Sequence, residues 1–445
     1  CIRDRCQYIT DHCQAQVAVV EDAEQLAKFK QVRDQLPGLK KIVLMEGSDD
    51  SADDLLSWSA LLELAEGVSA DALEQRKAAQ KPDDPCTLIY TSGTTGPPKA
   101  VMMTHRNFTW TTATLLDVVE GYGPGDTMVS YLPLSHVAEQ LLSLHLPMGI
   151  GGCVYFEPTL DKLGETLREA RPALFLGVPR VWEKIQAKIV AAAAQNSGLK
   201  KRIGRWAKGV GLAGGYAEQQ GRSKPLLYGL ANKLVFSKVK ALLGLDRCRV
   251  AVSSTAPIGK DTLEFFLSLG IVICEVYGMS ECSGPATISH PGRYRTGKAG
   301  YALPGSEMRI ADDGEICMRG PHVFKGYYRD ETATAEALDS DGWLRSGDIG
   351  ELDADGFLRV TDRKKELIIT AGGKNIAPTL IAGVLKSLPV IAQAVVIGDR
   401  RKFLSALVTL DEERIEAEAR EAGIAGVNDA RSAAASETFV AHVAR

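Results

Sequence analysis

The stretch YTSGTTGPPKAVMMT, residues 90–104, places a loop of Ser, Thr, Gly and Pro between two apolar runs. Unhindered backbone N–H groups and hydroxyls in such a loop can wrap a polyphosphate, and Lys99 adds a point charge. The loop lacks the Gly-Lys-Ser/Thr ending of a Walker A motif, and Pro97-Pro98 cannot open a helix with free N–H groups. The stretch therefore predicts a phosphate-binding loop of a different type, with a flexible surface turn as the alternative.

The chain has the composition of an ordinary globular protein, with 445 residues of which 45% are hydrophobic and 24% charged. At roughly 100–200 residues per domain, this length predicts two to four domains. The formal net charge of −4 gives no overall reason to expect a nucleic-acid partner. No apolar stretch reaches the length of a membrane span and the first residues, CIRDRCQYITDH, lack a signal-peptide core, so we expect a cytoplasmic protein. Because the chain begins without Met, we also expect it to be part of a longer protein.

The nine cysteines form no CxxC pair, and those inside apolar, strand-like runs are expected to be reduced, buried thiols. Those inside apolar, strand-like runs are Cys86, Cys153, Cys274 and Cys317. Cys1, Cys6 and Cys13 have the wrong spacing for zinc and lack suitable His partners, so no structural zinc is predicted.

Short apolar runs alternate with helical patterns up to about residue 300, as in AQVAVV, KIVLMEG, CTLIY, ALFLGVP, CRVAVSS and VICEVYG. Runs rich in Val, Ile and Leu predict an α/β fold with buried, largely parallel strands, whose ligands gather at the carboxyl ends of the strands. After about Tyr301, short alternating strands joined by Asp-Gly turns in ADDGE and DADGF predict a more antiparallel, barrel-like module. We therefore expect a large domain over 1–300, a barrel-like subdomain over 301–362 and a small, mobile α+β domain over 363–445.

Two features in the middle of the chain need separate interpretation. Residues 209–214, GVGLAG, fit GxGxxG but follow no strand, so we interpret them as a flexible break between helices. Residues 184–247 carry thirteen Lys or Arg against Glu218 and Asp246, with Trp206 among them. Such a segment suits peripheral contact with anionic lipid, and a solvated basic face explains it equally well.

Six motifs, in this order along the chain, resemble those of the adenylate-forming superfamily of acyl-CoA synthetases and luciferases. They are TSGTTGPPK (91–99), YLPLSH (131–136), YGMSE (277–281), SGD (346–348), DRKKELI (362–368) and TAGGKNIAP (370–378). Residues 177–185, GVPRVWEKI, are similar to its long-chain and bubblegum-type fatty acyl-CoA synthetases. The resemblance spans nearly the whole chain.

The resemblance implies a two-step ligase that uses ATP, Mg²⁺ and coenzyme A. A fatty acid and ATP give acyl-AMP and pyrophosphate, and coenzyme A then displaces AMP to form a thioester. Two alternatives stay open: a fatty acyl-AMP ligase that serves a carrier protein, and a non-catalytic nucleotide-binding remnant. Neither the acyl chain length nor the oligomeric state is predicted.

The same resemblance implies three groups of ATP contacts. They are the phosphate loop (Thr91, Ser92, Gly93, Thr94, Thr95, Gly96 and Lys99), the adenine segments (Ser254, Thr255, Ala256, Tyr277, Gly278, Met279 and Ser280) and the ribose ligands (Asp348 and Arg363). Magnesium would be held by Thr94 and Glu281, because a carboxylate at the end of a strand is a suitable hard ligand, although a helix-cap role for Glu281 is the alternative.

The resemblance also implies which residues act on the substrate. Lys99, Glu281 and Arg363 would be catalytic, and His136 would orient the attacking carboxylate and be catalytic with them. Trp182 would lie at the mouth of the fatty-acid tunnel, with the role of a core aromatic that anchors its helix as the alternative.

The sequence also departs from the family pattern in its last part. Ile369 occupies a place where many members carry Lys, and Ala382 stands where Glu is usual. The family has a catalytic Lys late in the small domain, whereas no Lys follows Lys402 in this chain. We therefore expect a fragment or a degraded relative with slow adenylation, in which Asp362 to Lys365 form the hinge between the large and small domains.

Overall fold

The computed structural model describes residues 2–47, 53–91, 97–369, 375–386, 388, 390–401 and 403–444. The chain forms two compact units, one made of Cys1–Arg106 with Phe324–Thr334 and the other of Asn107–Val323 with Ala335–Arg445. Helices and both kinds of sheet are present, which agrees with the predicted α/β class.

Helices and short strands are interspersed along the described residues. The helices are α1 (Ile2–His12), α2 (Ala23–Lys30), α3 (Trp58–Leu64), α4 (Ala70–Ala79), α5 (His105–Val118), α6 (Val137–Gln140), α7 (Leu146–Ile150), α8 (Leu163–Ala170), α9 (Pro179–Ala194), α10 (Gly198–Gln219), α11 (Tyr228–Ala231), α12 (Ser237–Leu243), α13 (Lys260–Leu267), α14 (Glu331–Ala337), α15 (Pro378–Lys386), α16 (Glu412–Glu421), α17 (Ala430–Ala435) and α18 (Glu437–Val443). The strands are β1 (Val17–Val20), β2 (Lys41–Leu44), β3 (Leu55–Ser57), β4 (Pro85–Thr91), β5 (Lys99–Thr104), β6 (Thr127–Ser130), β7 (Cys153–Phe156), β8 (Leu174–Leu176), β9 (Val250–Ser253), β10 (Ile273–Glu275), β11 (Gly278–Met279), β12 (Gly284–Pro285), β13 (Thr287–Ile288), β14 (Tyr301–Ala302), β15 (Glu307–Ile310), β16 (Glu315–Arg319), β17 (Gly326–Tyr327), β18 (Leu344–Leu352), β19 (Leu358–Arg363), β20 (Ile368–Ile369), β21 (Asn375–Ile376), β22 (Ile391–Ile397) and β23 (Ser405–Leu410).

The first unit begins with a parallel sheet in the order β1–β2–β3. Helix α2 follows β1 and is capped by Asp22, whose carboxylate accepts a 2.9 Å hydrogen bond from the N–H of Gln25. The apolar side of α2 buries Leu26 in a core with Val32 and Ile42. This part of the sequence therefore folds as predicted, with a helix between parallel strands.

The second sheet of this unit is antiparallel, in the order β17–β5–β4. Thr91 at the end of β4 lies opposite Lys99 at the start of β5. Our expectation of a parallel strand for CTLIY, residues 86–90, was therefore wrong. Strands β4 and β5 are separated by only residues 92–98, and a parallel pair needs a crossover of a dozen or more residues.

In the second unit, the expected parallel strands are present in two sheets. Strands β8, β9 and β10 pair in the order β10–β9–β8, and β6 pairs with β7. Helices α8, α9 and α13 contribute apolar side chains to one core around Phe175, Trp182 and Phe266. The carboxyl ends of β9 and β10 lie side by side, which brings the segments after Ser253 and Glu275 to one edge of the sheet.

Helix α10 runs without interruption through GVGLAG, so the interpretation of these residues as a flexible break was wrong. Gly211 and Gly215 are buried where α10 closely approaches α13 and the residues that follow it. A Cβ atom on Gly211 would lie 2.1 Å from the carbonyl oxygen of Ser268, and one on Gly215 would lie 2.3 Å from Leu267. The glycines permit close packing of the helix.

The predicted change to antiparallel structure after Tyr301 is confirmed by the sheet β15–β16–β18–β19. Both Asp-Gly sequences form its turns, and Gly314 and Gly356 adopt φ values of +84° and +80°, which favour glycine. Beyond it, β22 and β23 pair antiparallel, and α16 to α18 surround a core that includes Ile415 and Phe439.

The thiols are less uniformly buried than we expected. Cys274 and Cys317 are buried, but Cys86 is half-buried and Cys153 is exposed. The prediction for Cys153 was wrong because, among the described strands, β7 pairs with β6 alone and leaves both of its ends exposed. No helix in the described ranges is both long and apolar enough to cross a bilayer.

Candidate nucleotide-binding site

The predicted phosphate loop connects the two strands of a hairpin. Thr91 and Lys99 form the last pair before the loop, and Ser92, Gly93, Thr94, Thr95 and Gly96 lie outside the described residues. Lys99 is half-buried, and its Nζ lies 4.9 Å from the centre of the Tyr327 ring. The hairpin therefore places one lysine, held over an aromatic face, at the base of a loop rich in backbone donors.

Tyr277 is fixed at the carboxyl end of β10. Its side chain is buried, and its N–H donates a 2.9 Å hydrogen bond to Oγ1 of Thr287. Its hydroxyl donates to Oδ2 of Asp348 at 2.7 Å. Gly278 follows, where a Cβ atom would lie 1.8 Å from the carbonyl oxygen of Gly284, so only glycine fits. The family motif predicts that Tyr277 lies along adenine, whereas its bond to the predicted ribose ligand was not predicted from the sequence.

Asp348 lies in β18 opposite Arg363 of β19. Its side chain is 19% exposed, and Nε of Arg363 lies 3.7 Å from Oδ1. Burial raises the pKa of Asp348, while the Tyr277 hydroxyl and the Arg363 guanidinium act in the opposite direction. The N–H of Asp348 donates to the Ser346 hydroxyl at 3.1 Å, which makes use of the serine in the SGD motif. The carboxylate keeps lone pairs for the two hydroxyls of a ribose.

Glu281 lies in the short 3₁₀ turn Ser280–Cys282 that follows β11, and it is 7% exposed. Met279 and Cys282 close this turn through a 3.2 Å bond from the Met279 N–H to the thiol. A carboxylate oxygen is the hard ligand that Mg²⁺ prefers, so Glu281 fits the chemistry of a magnesium site. The other predicted ligand, Thr94, lies outside the described residues.

The segment 254–256 continues from β9, next to the segment that carries Tyr277. The Ser254 hydroxyl donates to the carbonyl oxygen of Val276 at 2.9 Å, which ties the two segments together. Thr255 has a φ of +76°, an unusual conformation for a β-branched residue. Thr255 and Ala256 are exposed. Strained backbone of this kind is enriched at functional sites, which is consistent with the predicted adenine loop.

His136 is exposed and caps the amino terminus of α6. Its Nδ1 accepts a 3.1 Å hydrogen bond from the N–H of Ala138, so Nδ1 is unprotonated and Nε2 carries the hydrogen in the neutral ring. Desolvation lowers the pKa of His136, and Glu139 acts in the opposite direction. The arrangement leaves Nε2–H available as a donor to an anionic oxygen.

Trp182 is fully buried in the core of the second unit. Its Nε1–H donates to the carbonyl oxygen of Val252 at 3.1 Å, and its ring packs edge-on against Phe175 and Phe266. These contacts match the alternative that the sequence left open, a core aromatic that anchors α9. A contact between Trp182 and substrate stays a prediction.

The predicted hinge, Asp362 to Lys365, is held by two sets of contacts. Asp362 is 3% exposed and accepts from the Thr379 hydroxyl at the start of α15 at 2.9 Å. Lys364 pairs with Asp313 at 2.6 Å and with Glu315 at 2.8 Å. The segment is thus tied both to the antiparallel sheet and to the region that follows it.

Glu275 is a half-buried acid that was not predicted from the sequence. It ends β10, two residues before Tyr277, and accepts a 2.8 Å hydrogen bond from the N–H of Gly297. Desolvation raises the pKa of Glu275 to about 8. The sequence does not show how far a single glutamate in an apolar strand is withdrawn from solvent. Its place at the carboxyl end of the strand, where ligands gather in α/β folds, is the one signal that could have identified it.

A carboxylate from an antiparallel sheet is hydrogen-bonded to a tyrosine just after a parallel strand, at the end of the strand where α/β proteins bind their ligands. The chain belongs to the AMP-binding enzyme family, whose pattern matches residues 3–328, and residues 365–438 match the AMP-binding enzyme C-terminal domain. The resemblance found in the sequence is therefore confirmed at the level of the family.

The curated relatives of this chain include long-chain-fatty-acid–CoA ligases. The ACSBG2 ligase of Xenopus laevis is 47% identical over 92% of this chain and 57% of its own length. The human ACSBG2 ligase is 42% identical over 91% of this chain and 62% of its own length. The chain thus spans less than two thirds of the length of these relatives.

Solved structures share the fold at lower sequence identity. An ATP-bound RpMatB-BxBclM chimera has a TM-score of 0.68 and 23% identity, and the alignment covers 92% of this chain and 72% of the chimera. The anthranilate CoA ligase AuaEII, in complex with anthranoyl-AMP, has a TM-score of 0.66 and 21% identity over 92% of this chain and 70% of its own.

Proposed function

We propose that the chain carries the adenylating machinery of a long-chain fatty acid–CoA ligase. The observation that carries this proposal is the 2.7 Å bond from Tyr277 to Asp348 with Arg363 beside it, which prepares an oriented carboxylate for a ribose. Membership of the AMP-binding family and the names of the relatives support the choice of reaction.

The reaction has two steps in this proposal. A carboxylate oxygen of the fatty acid attacks the α-phosphorus of ATP, which forms acyl-AMP and releases pyrophosphate. The thiol of coenzyme A then attacks the acyl carbon, loses its proton and releases AMP. Each step needs cationic or hydrogen-bond-donating groups near the oxygens that gain charge.

We assign roles to the described residues as follows. Lys99 balances charge on the phosphates, Asp348 and Arg363 bind ribose, and the Nε2–H of His136 donates to the fatty-acid carboxylate. Glu281, with Thr94, would hold Mg²⁺, which when bound neutralises phosphate charge. These roles suit the donor and acceptor chemistry of each side chain.

We propose a three-part organisation, with a large domain over 1–300, a barrel-like subdomain over 301–362 and a small domain over 363–445. Residues 362–365 would be the hinge that lets the small domain take different positions in the two steps. The contacts of Asp362 and Lys364 support the idea of a defined resting position, because they tie the hinge on both sides.

We also propose a cytoplasmic protein that makes peripheral contact with anionic membranes through the basic segment 184–247, and the surface around residues 222–242 supports this contact. Leu226 is fully exposed at 104%, and Leu227, Leu230 and Leu234 are also exposed. The exposed cations near them in sequence are Arg222, Lys233 and Lys238. Apolar side chains among cations favour the interface of an anionic bilayer.

This membrane contact is tested by sedimentation with vesicles. The double variant Leu226→Ser/Leu227→Ser should lose binding to vesicles that contain phosphatidylserine, and the control Leu160→Ser, at a residue 59% exposed elsewhere, should retain it. Binding should also weaken with added salt. Equal binding to neutral vesicles, or no binding of the unaltered chain, would refute the contact.

The activity is tested by mixing the protein with ATP, Mg²⁺, palmitate and coenzyme A and detecting pyrophosphate, AMP and palmitoyl-CoA by mass spectrometry. The same assay with holo-carrier protein in place of coenzyme A identifies the acceptor. Pyrophosphate release that depends on palmitate supports the proposal. Release that depends only on acetate or an aromatic acid would contradict it.

A further inference from the structure

A cavity of about 330 Å³ lies at the amino-terminal edge of the β8–β10 sheet, away from the edge that carries Tyr277. Its walls come from α10, the segment 228–240, and the starts of β9 and β10. Among the lining residues are Glu218, Lys224, Tyr228, Asn232, Lys240 and Arg249. None of them was predicted to bind ATP, fatty acid or coenzyme A.

Three hydrogen-bond donors in this cavity lack partners within the part of the chain that the structure describes. They are the hydroxyl of Tyr228, the side-chain amide of Asn232 and the ammonium of Lys240. All three side chains are half-buried. Donors that are withdrawn from water without an acceptor cost free energy, and an oxyanion would satisfy them.

Lys240 lines the cavity and has no counter-ion among the described residues, whereas the other lining cations are paired. Lys224 pairs with Glu218 at 3.1 Å, and Arg249 pairs with Asp126 at 2.5 Å. Desolvation lowers the pKa of Lys240, Cys248 acts in the opposite direction, and the positive charge of Lys224 acts in the same direction as desolvation. Burial raises the pKa of the nearby Cys248 thiol to about 12, so near neutral pH this thiol is protonated and is not a counter-ion of Lys240.

The backbone at Asn232 is also unusual. Residues Asn232–Phe236 form a π-helical turn, which widens the helix where it lines the cavity. Such turns occur frequently at functional sites, because their extra residue redirects side chains. The cavity also has an apolar wall, which includes Leu267, Ile271 and Val272.

We propose that this cavity binds a small phosphomonoester, with the phosphate against Lys240, Asn232 and Tyr228 and a short organic group against the apolar wall. A phosphate directs three terminal oxygens and up to two negative charges toward three separate donors, whereas the two oxygens of a carboxylate lie in one plane and share one charge. The volume excludes a large ligand. The proposal concerns a second site and does not depend on the proposed ligase activity.

The test is isothermal titration calorimetry with glycerol 3-phosphate as the probe, at constant ionic strength and without ATP or fatty acid. Lys240→Met should weaken binding at least tenfold. Lys238→Met is the matched control, since Lys238 is exposed on the same helix, and it should leave the affinity unchanged. Tyr228→Phe removes only one donor and should weaken binding severalfold. It tests the site even if Lys240→Met fails to fold.

Competition experiments identify the ligand and the site. Inorganic phosphate should bind more weakly than glycerol 3-phosphate, and butyrate should not compete. Excess AMP should leave glycerol 3-phosphate binding unchanged. The proposal would be overturned if Lys240→Met and Tyr228→Phe both bound glycerol 3-phosphate as tightly as the unaltered chain. It would also be overturned if the unaltered chain did not bind glycerol 3-phosphate, or if AMP displaced it. Competition by butyrate as strong as by phosphate would overturn the choice of a phosphomonoester.

Discussion

The hydroxyl of Tyr277 donates a 2.7 Å hydrogen bond to Asp348, and this bond joins the carboxyl end of β10 to the strand β18. It fixes the direction of the carboxylate and leaves the remaining lone pairs for another donor. In the proposed function that donor is the ribose of ATP. A preorganised acceptor loses less conformational entropy when the nucleotide binds.

Replacement of the predicted ribose ligand should weaken nucleotide binding. Asp348→Ala removes an acceptor of charge-assisted bonds, each worth on the order of 1.5–3 kcal/mol. Calorimetry should show this loss for ATP and AMP. Asp341→Asn, at an exposed position, is the control and should bind normally. Unchanged affinity in Asp348→Ala would show that the ribose assignment is wrong.

The stability of the fold should fall as the pH rises through the range in which Glu275 titrates. Its pKa is raised from 4.5 to about 8, so between these values the folded state holds a proton that the unfolded state has released. The free energy of unfolding should therefore decrease by at most about 1.4 kcal/mol per pH unit in this window. Glu275→Gln keeps an acceptor for Gly297 and should flatten the profile. Urea denaturation from pH 5 to 8 measures the free energy of unfolding of both proteins. The same dependence on pH in the unaltered chain and in Glu275→Gln would refute the raised pKa of Glu275.

The contact between Asp362 and Thr379 should contribute measurably to stability. Thr379→Val keeps the shape of the side chain but removes the donor to a buried carboxylate, which should cost about 1–3 kcal/mol. Thr409→Val, at an exposed position of β23, should have little effect. Equal unfolding midpoints for the two variants would argue against a hinge fixed by this bond.

Two glycines in α10 should respond oppositely to alanine. Gly211→Ala places a Cβ atom against the carbonyl of Ser268 and should destabilise the protein by about 1–3 kcal/mol. Gly209→Ala has open space and should stabilise the helix by about 0.5–1 kcal/mol. Thermal denaturation compares them. Stabilisation by both changes would mean that α10 is not packed as described.

Much of this organisation was visible in the sequence, because it depends on local patterns. The Asp-Gly turns, the parallel strands around β9 and the family motifs all follow from residues close together in the chain. The antiparallel direction of β4 was missed, since an apolar run looks alike in both kinds of sheet. The glycines of α10 were misread, because the need for them comes from Ser268 and Leu267, which are far away in sequence.

The site was predictable to a similar extent. Motifs identified Tyr277 and Asp348 separately, but their bond depends on how two sheets meet. The pKa of Glu275 depends on burial, which no sequence spacing records. For Trp182 the sequence left two roles open, and the structure shows the packing of its indole in the core, while contact with substrate stays a prediction.

In the proposed reaction, a fatty-acid carboxylate attacks the α-phosphorus of ATP. The most direct measurement uses palmitate labelled with ¹⁸O in both carboxylate oxygens, together with ATP, Mg²⁺ and coenzyme A. One carboxylate oxygen becomes the bridge to phosphorus and should remain on AMP after thioester formation. The expected products are AMP that carries one ¹⁸O and unlabelled pyrophosphate. Label in inorganic phosphate with ADP as the product, or palmitoyl-CoA with unlabelled AMP, would contradict it.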